Sequence, residues 1–155
     1  MRSVFISQSP AQTKKLGEFL AKEILKAPLR KRAFLIGLEG DLGGGKTTFL
    51  QGFAKGLRIK EKILSPTFVI MKKFIIPKKN IGDTYVNFYH IDCYRVEKSK
   101  EILNLGFKKI ITSPKNIVAI EWIDRVKKIL PKKSLILKFA LANINQRRII
   151  FKNGR

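Results

Sequence analysis

A glycine-rich segment in the first third of the chain limits what the rest can fold into. It reads Gly40-Asp41-Leu42-Gly43-Gly44-Gly45-Lys46-Thr47 and matches the phosphate-binding pattern of a glycine, four residues of any type, then glycine, lysine and serine or threonine. A short apolar run over residues 33–39 precedes the segment, and apolar residues at helical spacing follow it over 48–57. This order of strand, loop and helix predicts an α/β protein whose loop binds a polyphosphate.

The chemistry of phosphate binding accounts for each residue type in this segment. Three consecutive glycines let the backbone approach an anion closely and permit positive φ, and the following helix adds free N–H groups and the positive end of its dipole. Lys46 is predicted to reach the β- and γ-phosphates of ATP, and the Thr47 hydroxyl to ligand Mg²⁺. Nucleotide contacts are expected from Asp41, Leu42, Gly43, Gly44, Gly45, Lys46, Thr47 and Thr48. The alternative is a glycine-rich turn that binds nothing.

Length and composition narrow the class of protein. A chain of 155 residues is expected to form one domain over residues 1–155. No apolar run approaches the roughly 18 residues of a membrane helix, and the N-terminus lacks the apolar region of a signal peptide. The single cysteine, Cys93, excludes an intrachain disulfide and a cysteine-rich metal site. We therefore expect a cytoplasmic protein with no membrane contact.

The charge of the chain is strongly positive. Thirty-three basic against eleven acidic residues give a net charge of +22, which attracts polyanions such as nucleic acid. The basic residues are spread along the chain in pairs rather than gathered in one tract. This distribution favours a generally basic surface over a dedicated nucleic-acid groove, although it leaves both open.

The remaining segments predict a sheet with helices on its faces. Residues 2–7 resemble an edge strand, and Ser9, Pro10 and Gln12 predict a helix start with a capping box. The apolar stripe of that helix is predicted to contain Leu16, Phe19, Leu20 and Ile24. Further elements are predicted as a hairpin of 68–76 with 84–91, a short helix over 97–105 ended by Gly106, a strand over 117–120, a helix over 124–130, and final strands over 135–141 and 148–152.

Two acidic residues follow predicted strands. Asp92 ends the second strand of the hairpin, and Glu121 ends the apolar strand over 117–120. Because ligands of open α/β sheets bind at the carboxyl ends of strands, both acids are expected beside the phosphate loop. Asp92 is the first choice for Mg²⁺, and Glu121 is expected to hold the attacking water or to ligand the metal. For each acid the alternative is a surface residue at a strand end.

Two residues that occur once in the chain lie next to these acids. His90 is the only histidine, and a lone histidine in a strand more often packs or forms hydrogen bonds than catalyses. Trp122 is the only tryptophan, and a partly buried aromatic is as plausible for it as a side chain that stacks on a base or faces a partner.

These motifs together resemble the bacterial TsaE family, ATPases needed to make threonylcarbamoyladenosine in certain tRNAs. The resemblance rests on residues 40–49, Ser65-Pro66-Thr67-Phe68, His90-Ile91-Asp92-Cys93-Tyr94-Arg95, Leu105-Gly106 and Glu121-Trp122. It implies a P-loop NTPase-like α/β fold in which a central parallel sheet is flanked by antiparallel strands. It also implies that residues 65–68 form a nucleotide-sensing switch with Thr67 near the metal or the γ-phosphate. Asp92 would be the Mg²⁺ residue and Glu121 the catalytic or metal-linked acid.

The resemblance further implies a slow ATPase that acts with TsaB- and TsaD-like partners, with tRNA engaged indirectly through their complex. Gly44 departs from the family, which usually has alanine there, so the resemblance does not determine how rigid the loop is.

Two other functions compete with this one. A small P-loop kinase shares the loop and the metal acid but generally needs arginines in a lid, and only Arg95 and Arg125 lie near the proposed site residues. A non-enzymatic nucleic-acid-binding protein fits the charge but leaves the loop and both acids unexplained.

Overall fold

The computed structural model describes residues 2–65, 69–80 and 82–153. The strands are β1 Arg2–Ser7, β2 Phe34–Glu39, β3 Met71–Ile75, β4 Asn87–Asp92, β5 Asn116–Glu121, β6 Leu135–Leu141 and β7 Arg147–Asn153. The helices are α1 Pro10–Lys26, α2 Lys46–Gly56, α3 Ser99–Leu103 and α4 Phe107–Thr112, with a 3₁₀ segment at Ile123–Ile129.

The strands form one sheet in the order β1-β7-β6-β2-β5-β4-β3. The four central strands β6, β2, β5 and β4 are parallel. Antiparallel pairing adds β3 to one side, and β7 followed by β1 to the other. This arrangement confirms the predicted α/β fold, including the edge strand, the hairpin and the two final strands.

Strands β2 and β5 are buried along almost their whole length and thus on both faces, as their apolar sequences predict. On one face Ile36 and Leu38 of β2 pack with Phe49 and Phe53 of α2. On the other face Leu35 packs in a second cluster with residues of α4 and the 3₁₀ segment. Both clusters support β2 and β5, which carry the phosphate loop and Glu121 at their carboxyl ends.

Helix α1 packs closely on α2, and two glycines allow the contact. A Cβ added at Gly17 would lie 2.2 Å from the Phe49 carbonyl oxygen, and one at Gly52 would lie 1.9 Å from the Lys14 carbonyl oxygen. The backbones of the two helices therefore touch directly. The buried residues of α1 are Thr13, Gly17, Ala21 and Ile24, whereas Phe19 is 61% exposed. The predicted apolar stripe was wrong at Phe19, because the small residues that admit α2 turn Phe19 towards solvent.

The start of α1 also differs from the prediction in one bond. The Ser9 side chain accepts a hydrogen bond from the Gln12 N–H at 3.2 Å, as a capping box requires. The Gln12 side chain, however, accepts from the N–H of Gln8 at 2.7 Å instead of that of Ser9. Two hydrogen bonds therefore cap the N-terminus of α1. The one that the Gln12 side chain accepts comes from Gln8, one residue before the donor that a capping box predicts.

The region after β4 contains one helix more than the sequence analysis predicted. Gly106 ends the first short helix with a left-handed φ of 83°, as expected, and α4 begins directly after it. The buried side chains of α4, Phe107 and Ile111, are four residues apart and face the sheet. Across the described residues, no helix has the length and apolar character to cross a membrane.

Candidate nucleotide-binding site

The phosphate loop connects β2 to α2 through three left-handed glycines. Gly40, Gly43 and Gly45 have φ values of 139°, 74° and 99°, conformations that favour residues without a Cβ. Gly44 is not left-handed, and the space beside it is limited: an added Cβ would lie 3.0 Å from the Asp41 carbonyl oxygen. Of the three glycines expected to permit positive φ, Gly43 and Gly45 adopt it and Gly44 does not. The Gly44 N–H closes a turn onto the Asp41 carbonyl oxygen at 3.1 Å.

Helix α2 begins at this loop without a side-chain cap. Gly45 occupies the N-cap position and has no side chain that could accept a hydrogen bond from the first N–H groups of the helix. Such N–H groups need acceptors, and the positive end of the helix dipole favours an anion at the same place. The N-terminus of this eleven-residue helix, directly after the glycine loop, therefore favours the binding of a phosphate group.

The side chain of Lys46 is folded back onto the loop. Its Nζ donates hydrogen bonds to the carbonyl oxygens of Gly40 at 2.5 Å and Asp41 at 2.8 Å. It also lies 4.3 Å from the centre of the Trp122 ring, a cation–π distance. Burial lowers the pKa of Lys46, and the charges of Glu121, Asp92, Asp41 and Asp124 oppose that shift. Within the part of the chain that the structure describes, the ammonium thus has carbonyl and aromatic partners, and a phosphate would be a stronger one.

Glu121 connects the loop helix to the sheet. Its Oε1 accepts a hydrogen bond from the Thr47 hydroxyl at 3.0 Å, and its Oε2 lies 2.7 Å from Nε2 of His90. Both His90 and Glu121 are almost fully buried. The three residues come from α2, β5 and β4, so the parallel pairing of β4 with β5 aligns the histidine and the acid. The expectation that His90 forms hydrogen bonds is confirmed, and its partner is the candidate catalytic acid.

Asp92 lies beside Glu121 in the register of β4 and β5. Its Oδ1 accepts from the Tyr94 N–H at 2.9 Å, and its Oδ2 accepts from the Ser65 hydroxyl at 2.8 Å. The candidate metal acid is thus bonded to the first residue of the predicted switch. Thr67, the predicted switch residue near the γ-phosphate, lies outside the described residues.

The oxygen atoms near the loop suit a magnesium ion that also binds phosphate. No group of three histidine, cysteine, aspartate or glutamate residues within the described ranges could hold a metal by itself. Mg²⁺ needs fewer protein ligands, because it is usually held by one or two carboxylates together with phosphates and waters. The hydroxyl of Thr47, the carboxylate of Glu121 hydrogen-bonded to it, and the adjacent Asp92 supply that kind of donor set.

A cleft of about 650 Å³ runs along the loop and joins these residues. Every predicted nucleotide and metal residue that the structure describes, apart from Asp41, lines it: Leu42, Gly43, Gly44, Gly45, Lys46, Thr47, Thr48, Asp92, Glu121 and Trp122. A volume of this size is in the range of small-molecule sites, about 300–1,000 Å³. The structure therefore brings the predicted residues together in one cleft large enough for a nucleotide.

The opposite wall of the cleft was not predicted from the sequence. It includes Pro10 and Thr13 near the start of α1, and Ile144 and Arg147 near the start of β7. Nε of Arg147 donates to the carbonyl oxygen of Gly43 at 3.1 Å, a contact between residues 104 positions apart. No local pattern marks these residues as part of the site, because the pairing of β7 with β6 brings Ile144 and Arg147 towards the loop, and the pairing of β1 with β7 brings the start of α1.

Trp122 forms the other side of the cleft in a strained conformation. Its φ of 57° and ψ of 44° are left-handed, which is uncommon for a residue with a bulky side chain. The Tyr94 ring lies 5.1 Å from the Trp122 ring, and the Arg125 guanidinium lies 5.8 Å from both rings. This turn directs the chain out of β5 so that the indole covers Lys46. Backbone strain of this kind is concentrated at functional sites.

Comparison with known proteins agrees with this geometry. The model of the family described as threonylcarbamoyl adenosine biosynthesis protein TsaE matches residues 7–150. The chain is 34% identical over 143 residues to the Bacillus subtilis tRNA threonylcarbamoyladenosine biosynthesis protein TsaE, covering 92% of this chain and 80% of the relative. It is 38% identical over 120 residues to the protein of the same name from Borreliella burgdorferi, covering 76% and 79% of the two chains.

Among solved structures, the crystal structure of Bacillus subtilis YdiB superimposes with a TM-score of 0.75 at 26% sequence identity, covering all of this chain and 87% of the other. The family match spans nearly the whole fold, from the end of β1 into β7, and so includes the phosphate loop, Asp92 and Glu121. The chain belongs to the TsaE family.

Proposed function

We propose that this protein binds and hydrolyses ATP with Mg²⁺ and in doing so supports the formation of threonylcarbamoyladenosine in tRNA. The observation that carries the proposal is the hydrogen-bonded series Thr47–Glu121–His90 at the start of a phosphate-loop helix. The part in tRNA modification is supported by membership of a family named for threonylcarbamoyl adenosine biosynthesis.

The phosphate loop and Lys46 would bind the triphosphate. The free N–H groups at the start of α2 would take the phosphate oxygens. Lys46 would exchange its bonds to the carbonyls of Gly40 and Asp41 for charge-assisted bonds to the β- and γ-phosphates, which are about twice as strong as neutral ones. Its removal from beneath Trp122 would leave that ring free to contact the nucleotide or to shift with it.

Thr47 and Asp92 would hold the magnesium ion, with Glu121 available as a further ligand. A bound Mg²⁺ would neutralise charge that develops on the β- and γ-phosphoryl oxygens. Glu121 would orient the attacking water, because His90 fixes its carboxylate from behind while the other oxygen faces the loop helix. Thr67 is proposed, from the family resemblance alone, to contact the metal or the γ-phosphate.

The partners of the reaction are proposed to be TsaB- and TsaD-like proteins. The site has a single acid to position water, and Arg147 is the one arginine among the described residues that line the cleft. Both features favour slow hydrolysis by the chain alone. The complex with these partners would then raise turnover and select the tRNA. Asp92 and Ser65 are hydrogen-bonded to each other at the exposed end of the site, so a change at the nucleotide could reach a partner through the switch segment.

A small P-loop kinase is the second candidate, because Arg147 lies in the cleft beside Gly43. A kinase lid uses arginines to contact the transferred phosphoryl group. In this structure Arg147 instead donates to the carbonyls of Gly43, Ile144 and Gln146, which favours a supporting role.

A titration with ATP, ADP and GTP, followed by measurement of phosphate release with and without the partner proteins, tests the proposal. We expect binding of ATP and ADP, slow release of phosphate by the chain alone, and faster release with partners. The Lys46→Ala variant is the matched negative control for contaminating ATPases. Transfer of the γ-phosphate to a small acceptor in place of water would identify the kinase, and no nucleotide binding at all would refute both functions.

A further inference from the structure

A second basic region lies at the opposite end of the parallel strands from the phosphate loop. The segments that precede β2 and β6 are neighbours, because these strands are parallel and Ile36 pairs with Leu135. They enclose a groove of about 770 Å³ lined by five cationic side chains: Arg30, Lys31, Arg32, Lys132 and Lys133. The six residues of β2 separate this groove from the phosphate loop by about 20 Å. The groove is therefore distinct from the nucleotide cleft.

The cations of this groove have no acidic partners. Among the described residues that line the groove, none is acidic, and none of the five cations forms an ion pair with a described carboxylate. The other basic groove, near the end of α2, differs in this respect. It contains Glu61, and its Lys55 and Arg58 pair with Glu18 and Asp83. Of these two basic grooves, the one before β2 and β6 is thus lined by cations that no described acid neutralises.

The fold holds these cations on two anchored segments. Ala33 donates its N–H to the Ile111 carbonyl oxygen at 3.0 Å, and the Arg30 guanidinium lies 4.2 Å from the centre of the Phe34 ring. On the other side the Ser134 hydroxyl donates to the Pro131 carbonyl oxygen at 2.7 Å and closes the turn. Lys133 within that turn has a left-handed φ of 69°, a conformation that is costly for lysine. The backbone that carries these cations is therefore anchored to the fold, while the exposed side chains can adapt to a ligand.

We infer that this groove binds the phosphodiester backbone of RNA. Two arginines can each bond a phosphate in bidentate fashion, and three lysines add point charges, which suits a chain of phosphates. The net charge of +22 would steer a polyanion to the protein from a distance. The choice of RNA among polyanions rests on the tRNA pathway proposed above. The groove adds a sequence-blind contact, and selection of the tRNA belongs to the partner complex.

Two charge-matched variants test the inference. Lys31→Glu with Lys132→Glu alters the groove, and Lys60→Glu with Lys62→Glu makes the same change in net charge at the other basic region. Binding of a fluorescein-labelled tRNA transcript is followed by anisotropy at several salt concentrations. Because each lost phosphate contact reduces the slope of log affinity against log salt by about 0.7–0.9, the groove variant should lower the slope by about 1.5 and the affinity at least about tenfold. The control variant should lose about twofold or less in affinity, with the slope nearly unchanged.

Three results would overturn the inference. Equal losses in the two variants would mean that diffuse charge, not the groove, binds RNA. Unchanged tRNA binding by the groove variant, together with loss of assembly with the partner proteins, would identify the groove as a docking surface for an acidic protein. A large preference for tRNA over an unrelated RNA of equal length, abolished by the groove variant, would contradict a backbone contact. Thermal unfolding of both variants checks that they fold, and ATP binding measured in parallel separates failure of this inference from failure of the proposed ATPase.

Discussion

At the carboxyl end of β2 the key charged side chains are buried and hydrogen-bonded, whereas at its amino end they are exposed and form no ion pair with any described carboxylate. Lys46 is 5% exposed and Glu121 is 2% exposed, and each has hydrogen-bond partners at 3.0 Å or less. Lys31 and Lys132 at the other end are exposed. Burial of charge requires partners and therefore fixes geometry, which chemistry at a single phosphorus atom needs. Exposed charge remains adaptable, which suits a polymer bound by many similar contacts.

The largest expected difference between the two ends is in nucleotide binding. Lys46→Ala should remove measurable binding of a non-hydrolysable ATP analogue, because the lost ammonium is the charged donor closest to the phosphate loop. Lys132→Ala, the matched lysine at the amino end, should bind the analogue like the wild-type protein. Isothermal titration calorimetry measures both. Wild-type affinity in the Lys46→Ala variant would contradict the assignment of the loop.

Substitutions of the two acids, Glu121 and Asp92, should have different effects on catalysis. Glu121→Gln should reduce turnover about a hundredfold while ATP still binds, because the amide cannot accept a proton from or orient the attacking water as a carboxylate does. Asp92→Asn should instead raise the Mg²⁺ concentration needed for half-maximal rate. Phosphate release measured across a magnesium series distinguishes the two effects. If both variants hydrolyse ATP normally, the acids have a structural role only.

Stability should also differ between the two ends. His90→Ala should destabilise the protein by about 2 kcal/mol, since it leaves one oxygen of the buried Glu121 carboxylate without its partner. Lys132→Ala should change the free energy of unfolding by no more than about 0.5 kcal/mol, because the side chain is exposed and forms no ion pair with a described residue. Urea unfolding followed by circular dichroism measures both values. Equal stabilities for the two variants would mean that the His90–Glu121 bond contributes little.

The smallest expected effect is in the emission of Trp122. Lys46 lies 4.3 Å from its ring, so a nucleotide that draws the ammonium away should change the fluorescence. Binding of RNA at the amino end of the sheet should leave the emission unchanged. Trp122 is the only tryptophan, so the measurement needs no further labelling. Identical spectra for the free, ADP-bound and analogue-bound protein at demonstrated saturation would argue against a switch at this position.

The sequence predicted the features that depend on local chemistry. The glycine pattern located the loop, and strand-length apolar runs placed Asp92 and Glu121 at strand ends, where the sheet register then brings them side by side. The same reasoning could not determine which partner His90 has, because the Glu121 side chain is 31 positions away and reaches it only through parallel pairing. The role of Arg147 in the cleft wall was inaccessible for the same reason.

Errors in the prediction arose where tertiary packing overrides a local pattern. Phe19 fits an apolar helical stripe, yet the backbone contact of α1 with α2 at Gly17 gives that face to small residues. The paired basic residues at 31–32 and 132–133 looked evenly dispersed along the chain, but the parallel pairing of β2 and β6 gathers them into one groove. The distribution of charge along the sequence therefore does not show how strongly the fold concentrates basic side chains in one place.

Hydrogen–deuterium exchange with and without a non-hydrolysable ATP analogue and Mg²⁺ tests the distinction between the two ends most directly. Saturation is established beforehand by calorimetry. We expect slower exchange in residues 43–49, where the loop and the first turn of α2 would donate to phosphates, and no change in residues 29–33 and 131–134. Unchanged exchange in the phosphate loop at saturation, or protection confined to the basic groove, would contradict the account.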